Sequence, residues 1–210
     1  MDKKVAFQAA ALASVIAFVA VIFQLIAALS VPTDVQIQPS YPVPLEDFVR
    51  ATNEHTGNAL GFFGADSLFV VSYLLVFVGL YCVTAERARP FAVIGLGAGT
   101  FTALMDTVEN AFFITYALNA RINLPLESPD LPLLYILTNL KWMGAFATLY
   151  AFGVVFPRTN RLEWIITALM LVFPVVGVLG IANPSLMLIR SLFFIAGMPL
   201  FAWYFWKRSL

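Results

Sequence analysis

A chain of 210 residues that is 61% hydrophobic and 11% charged, with a mean hydropathy of +0.88, stands far from soluble domains, in which roughly a quarter of residues are charged. Twelve Lys and Arg balance twelve Asp and Glu, so net charge offers no argument for nucleic acid or an acidic partner. The single cysteine, Cys82, excludes an internal disulfide and any thiolate metal site built from one chain.

Six segments reach the roughly 20 apolar residues that a helix needs to cross a hydrocarbon core about 30 Å thick. They run approximately over 5–31, 59–84, 91–118, 131–156, 162–182 and 185–206. Their length and lack of strict alternation speak against barrel strands. The expected fold is all-α: one transmembrane domain over 1–210, built as a six-helix bundle. Lys3, Lys4, Arg87, Arg89, Arg158, Arg161, Lys207 and Arg208 flank alternate ends of the spans, which places both termini in the cytoplasm by the positive-inside rule. The other side carries Asp34, Glu46, Asp47, Glu54, Glu127 and Asp130. Trp164, Trp203, Tyr204 and Trp206 fall where an inner-leaflet aromatic belt belongs. Localisation follows as a multi-pass protein of a cytoplasmic (inner) membrane, bacterial in character.

The first span follows Lys3 and Lys4 and ends in Ala28, Leu29 and Ser30, a small-x-small pattern that also suits a secretory signal. Its apolar run exceeds the usual signal length, which favours an uncleaved anchor. The first outer loop opens on Pro32, Pro39, Pro42 and Pro44, which favour an extended entry. Leu45, Phe48, Val49 and Thr52 then recur at helical spacing, opposite Glu46, Asp47, Arg50 and Glu54. A short amphipathic helix is expected there, either capping a cavity or merely connecting two spans. Gly95, Gly99 and Ala103 repeat at intervals of four in the third span and permit close helix approach. Pro174 and Pro199 remove backbone donors within spans five and six.

Five charges interrupt these apolar stretches: Asp66, Asp106, Glu109, Lys141 and Arg190. Each costs about 2.5 to 3.5 kcal/mol at a helix centre, so partners or water are required. Counted from the outer ends at 1.5 Å per residue, Asp66 lies about 10 Å deep, Glu109 about 13 Å, Lys141 about 15 Å, Asp106 about 18 Å and Arg190 about 8 Å. These spans run in alternating directions, so the shared depth points to one site. Asp106, Glu109, Asn110 and Phe113 share a face of span three. Asp66, Phe69 and Tyr73 form a stripe on span two, and Gln24 of span one lies at a matching depth. Span four offers Thr138 and Lys141 on one side, with Tyr135, Asn139 and Trp142 overlapping it.

The candidate ligand-binding residues are therefore Asp66, Tyr73, Asp106, Glu109, Asn110, Thr138, Lys141, Trp142 and Arg190, with Asp106 and Glu109 as candidate acid or base. Three acids face two bases, which calls for a shared proton or a bound cation. The same residues also suit a purely structural role, as salt bridges tying spans two, three and four together, and Arg190 lies shallow enough to reach headgroups. Asp66-x-x-Phe69-x-x-x-Tyr73, Asp106-x-x-Glu109-Asn110 and Lys141-Trp142 resemble a pattern in uncharacterised bacterial multi-pass membrane proteins. The resemblance covers spans two to four and implies that these residues belong together.

No cofactor and no metal is expected. The one histidine, His55, lies in the outer loop and away from any haem within the membrane, and the spans carry no His and Glu at metalloprotease spacing. The leading expectation is a binding or transport protein with a charged pocket in the outer half of the bilayer for an amphiphilic or anionic small molecule or lipid. Lys141 and Arg190 would meet the anionic end. One alternative is an intramembrane acid/base enzyme such as a lipid isomerase, and another is an accessory subunit that packs through the Gly95 face. Expected partners are membrane lipid, an amphiphilic molecule and a homo-oligomer or larger membrane complex, with no nucleic acid.

Overall fold

A computed structural model of the protein describes residues 2–32, 43–124, 126–127, 129–182 and 187–210, without the side chains of 181, 182, 187, 188, 190 and 191. Asp34, Pro39 and Pro42, and the Arg190 side chain, lie outside the described residues. Six helices account for nearly all the rest: α1 Lys3–Leu29, α2 Leu45–Glu54, α3 Thr56–Arg121, α4 Leu131–Val155, α5 Arg161–Ala182 and α6 Met187–Ser209. No strand occurs among the described residues.

Three of these helices, α1, α3 and α5, are long and apolar enough to cross a membrane. Large apolar side chains such as Leu12, Phe23, Val71, Leu104 and Val175 stay exposed along them, a surface that water would not tolerate and lipid would. In α4, Asn139 and Lys141 interrupt an otherwise apolar run.

The expected second and third spans both lie within α3, as two helices that meet at a kink. Only Ala88, with φ −154° and ψ 82°, departs from helical geometry inside α3. It stands two residues before Pro90, whose missing N–H and ring disfavour helix in the residues leading into it. The chain folds back there. Gly99 meets Phe77, Tyr73 meets Asp106 and Phe63 stacks on Phe113, and each of these pairs is nearly symmetric about residues 88 to 90. We refer to 56–87 and 89–121 as the first and second arms of α3.

Helices α1, α3, α4, α5 and α6 form a ring in which each packs mainly on its neighbours, α6 closing onto α1. Small residues set the closest approaches. Ala6, Ala10, Ala13, Ala17 and Ala20 recur every three or four residues on the buried face of α1. Opposite them, a Cβ added to Gly79 would lie 2.5 Å from Ala10 Cβ and 2.9 Å from Phe205 Cζ. Gly95 and Gly99 are filled in the same way by Phe152 and Phe77. The Gly95 face is thus filled from within the chain.

The amphipathic helix of the first loop is α2, but its buried face is Phe48, Ala51 and Thr52, while Leu45 is exposed. Phe48 meets Phe113, which stacks on Phe63 at 4.3 Å, so α2 seals one end of the α3 hairpin. The side-chain amide of Asn53 donates to the Leu126 carbonyl at 3.1 Å and accepts from the Leu126 N–H at 3.0 Å, which fastens the α3–α4 connection to α2. At the opposite end Asn160 accepts from the N–H of Glu163 at 3.1 Å, a cap that starts α5. The buried Glu163 carboxylate accepts from Thr159 N and Oγ1 and pairs with Arg208 at 2.9 Å. Trp164, Trp203 and Trp206 are exposed as a belt requires, whereas Tyr204 is buried against Phe156 and Phe205 and leaves that belt.

A Gly79→Leu substitution forces the α1 backbone away from α3 and is expected to cost about 1–3 kcal/mol through overpacking, despite the better helix propensity of leucine. Gly61, with nothing within 4 Å of an added Cβ, is the matched control. Thermal unfolding in mild detergent checks this: the midpoint falls in Gly79→Leu and holds or rises in Gly61→Leu. An unchanged midpoint in Gly79→Leu refutes the close contact.

Candidate functional site

Lys141, buried on α4, reaches two carboxylates on the second arm of α3. Its Nζ donates to Asp106 Oδ1 at 2.9 Å and pairs with Glu109 Oε2. The two acids stand one helical turn apart, so a single ammonium on the facing helix can serve both. Asp106 Oδ2 accepts from the Tyr73 hydroxyl at 3.0 Å, which brings in the first arm. Glu109, with no exposed surface, takes the hydroxyl of Thr138 at Oε1, and that hydroxyl also lies 3.0 Å from the Leu134 carbonyl. Every oxygen of Asp106 and Glu109 is engaged.

Asp66 lies beside this hub on the first arm. Its Oδ1 accepts from Gln24 Nε2 at 3.0 Å, which adds α1 to the polar layer. Its Oδ2 is buried and makes no hydrogen bond. Asn110, on the second arm, is the side-chain hydrogen-bonding neighbour of Asp66 across the α3 hairpin, the two side chains standing short of full hydrogen-bond geometry.

A cavity of about 410 Å³ adjoins the hub inside the ring of helices. Gln24, Asp66, Tyr73, Asp106 and Lys141 give it a polar end, and Trp142 borders them. Apolar and aromatic side chains from α1, α3, α4, α5 and α6 make the remaining wall, including Val21, Phe69, Leu149, Phe173, Phe194 and Met198. Phe194 packs edge-on against both Phe69 at 5.3 Å and Phe173 at 5.3 Å, which joins the α6 side of the wall to α3 and α5.

The structure thus brings Asp66, Tyr73, Asp106, Glu109, Asn110, Thr138, Lys141 and Trp142 into one region. Glu109, Asn110 and Thr138 do not line the cavity; they sit behind its polar end and support it. Asp106 does line it, but with both oxygens held by Lys141 and Tyr73. Each oxygen of the two candidate acids or bases thus already meets one partner within the chain. Tyr135 and Asn139, expected to overlap the polar face of α4, do not join it. The Tyr135 hydroxyl accepts from the Val43 N–H at 2.9 Å near α2, and Asn139 is exposed. Neither α2 nor the Gly95 stripe contributes to the lining, so α2 is a seal for the hairpin rather than a lid. Among the described residues no group of three His, Cys, Asp or Glu is arranged to hold a metal ion.

No protein-family model matches this chain, no curated protein matches it and no solved structure matches it.

Removing one partner from a buried ion cluster strands the others, at a cost of about 3–5 kcal/mol. Lys141→Met is expected to lose that much, because Asp106 and Glu109 are left facing one another. Adding Asp106→Asn and Glu109→Gln to Lys141→Met removes the stranded charge and recovers most of the loss. Unfolding midpoints of the two variants in detergent decide it, and equal losses would show that charge compensation is not what the cluster supplies.

Proposed function

We propose that this protein is an integral membrane binding or transport protein whose intramembrane cavity takes an amphiphilic small molecule or a lipid. The single observation that carries this reading is the form of the cavity: about 410 Å³, polar at one end and aromatic or aliphatic elsewhere. That volume lies within the roughly 300–1,000 Å³ of small-molecule sites, and a few convergent polar groups in an apolar wall are their usual chemistry. A purely structural clamp needs the hub but not the space beside it.

The proposal includes the topology. Six spans, counting the two arms of α3 separately and α2 as an extramembrane helix, leave both termini on the cytoplasmic side of a bacterial inner membrane. Lys3 with Glu86, Arg158 over Trp164 and Lys207 over Trp203 then lie at the cytoplasmic interface, and the hub and cavity lie toward α2 in the outer half of the bilayer. Polar groups of the hub are fixed in place by one another, which suits a site that orients its ligand without reorganising.

Gly197 provides the test. It is buried, it lines the cavity, and an added Cβ would meet only Phe201 Cε2, at 4.0 Å. Gly197→Leu is expected to fold normally and to occupy part of the space. Mass spectrometry of small molecules retained by protein extracted with its native lipid should find an amphiphile on the wild type and roughly tenfold less on Gly197→Leu. Equal retention by both would overturn the reading.

A further inference from the structure

We propose that the outer seam between α1 and α6, a site separate from the internal cavity, binds an anionic phospholipid: one acyl chain lies in an apolar groove and the phosphate-bearing headgroup is held between Lys4 and Lys207. The groove, about 390 Å³, has Ala11, Val15 and Phe18 on its α1 side and Pro199, Ala202 and Trp203 on its α6 side. Small side chains at Ala11 and Ala202 leave the hollow, and the exposed Val15 and Trp203 show that it opens outward from the ring of helices.

The groove runs toward the end of the bundle where α1 begins and α6 finishes. Phe7 stacks on Phe205 at 6.1 Å, so the antiparallel α1 and α6 bring Lys4 and Lys207 to one level. Lys4, Gln8, Ala11, Val15 and Phe18 follow i, i+4, i+7, i+11 and i+14 spacing, which puts Lys4 on the stripe of α1 that lines the groove. On the other side, Lys207 Nζ stands 4.8 Å over the ring of Trp203. Both lysines are exposed, and neither forms an ion pair among the described residues, whereas Lys3 pairs with Glu86 and Arg208 with Glu163. The Asp2 carboxylate is engaged in capping α1 through the Lys4 N–H.

Two uncompensated ammonium groups at the mouth of an apolar trough match the two parts of a phospholipid. Lysine stems lie along apolar surface while their charges stay at the headgroup level, where they attract anionic lipid, and Trp203 with Trp206 is the aromatic pair that this level favours. A zwitterionic headgroup carries its own cation to the same lysines and gains less. A second copy of the chain, docked here about an axis normal to the membrane, would set the same two lysines against each other.

The test titrates the full chain in mild detergent with phosphatidylglycerol and with phosphatidylcholine of identical acyl chains, and reads bound lipid and oligomeric state by native mass spectrometry. Phosphatidylglycerol is expected to bind roughly tenfold or more tightly than phosphatidylcholine. Lys4→Gln with Lys207→Gln should abolish that preference, and Ala202→Leu, which fills the groove, should weaken phosphatidylglycerol binding. Lys3→Gln with Arg161→Gln removes equal charge from the same end of the bundle and should leave the preference in place, as should Gly197→Leu. Equal affinity for the two lipids overturns the proposal, as does a preference that survives loss of Lys4 and Lys207 or falls equally with Lys3 and Arg161. Loss of binding in Gly197→Leu alone moves the lipid to the internal cavity, which overturns the groove and keeps the cavity reading. A dimer that binds no lipid and is dispersed by Ala202→Leu makes a second copy the occupant and overturns the lipid assignment.

Discussion

The ammonium of Lys141, held between Asp106 and Glu109, is the interaction on which the rest of the bundle depends. Charges inside a membrane are tolerated where they meet one another, and their energy changes steeply with separation because little solvent screens them. A shift of α4 along α3 by one turn, about 5.4 Å, would carry the ammonium past one of the two acids and end its shared position between them. Tyr73 extends the constraint to the first arm of α3, and Gln24 with Asp66 extends it to α1. Side chains from four helical segments are therefore tied at one level, which fixes their register in a setting where apolar faces alone discriminate poorly between registers.

Small residues make that level reachable. A Lys141 side chain meets its acids only if α3 and α4 approach closely, and Gly144 allows it: an added Cβ there would lie 2.4 Å from Thr102 Oγ1 and 3.3 Å from the Ala98 carbonyl oxygen. Gly79 and the alanine face of α1 do the same on the other side of the first arm. The ring cannot close this tightly everywhere. Phe173, Phe193 and Phe194 from α5 and α6 meet one another and prop those helices outward from the hub, and the cavity is the space between the propped side and the clamped side.

Much of this arrangement can be read from the chain by counting. At 1.5 Å and about 100° per residue, depth brings Asp66, Asp106, Glu109 and Lys141 together, and angle puts Thr138 with Lys141, three residues apart. The same angle explains the misplaced residues of α4. Asn139 stands about 200° from Lys141 and Tyr135 about 120° from it, so neither shares the polar face despite a similar composition around them. The alanine spacing of α1 and the Asn160–Glu163 cap are equally legible, as a small-residue stripe and a capping pattern. Which oxygen stays unpaired is not legible at all. It depends on side-chain rotamers and on Gln24 choosing Oδ1 of Asp66, which no periodicity encodes.

Satisfaction of the hub is uneven, and the unevenness has a direction. Four buried side-chain atoms among the described residues lack a hydrogen bond: Asp66 Oδ2, both amide atoms of Asn110, and the hydroxyl of Tyr204 at the opposite end. Each buried polar atom left unmade costs about 1–3 kcal/mol, more for a charged group. A cluster whose sole task was to join helices would be expected to close its bonds throughout, as it does at Asp106 and Glu109. The three open atoms at the hub instead belong to one facing pair, Asp66 on the first arm and Asn110 on the second, the open atoms standing behind the cavity and the two side chains short of full hydrogen-bond geometry.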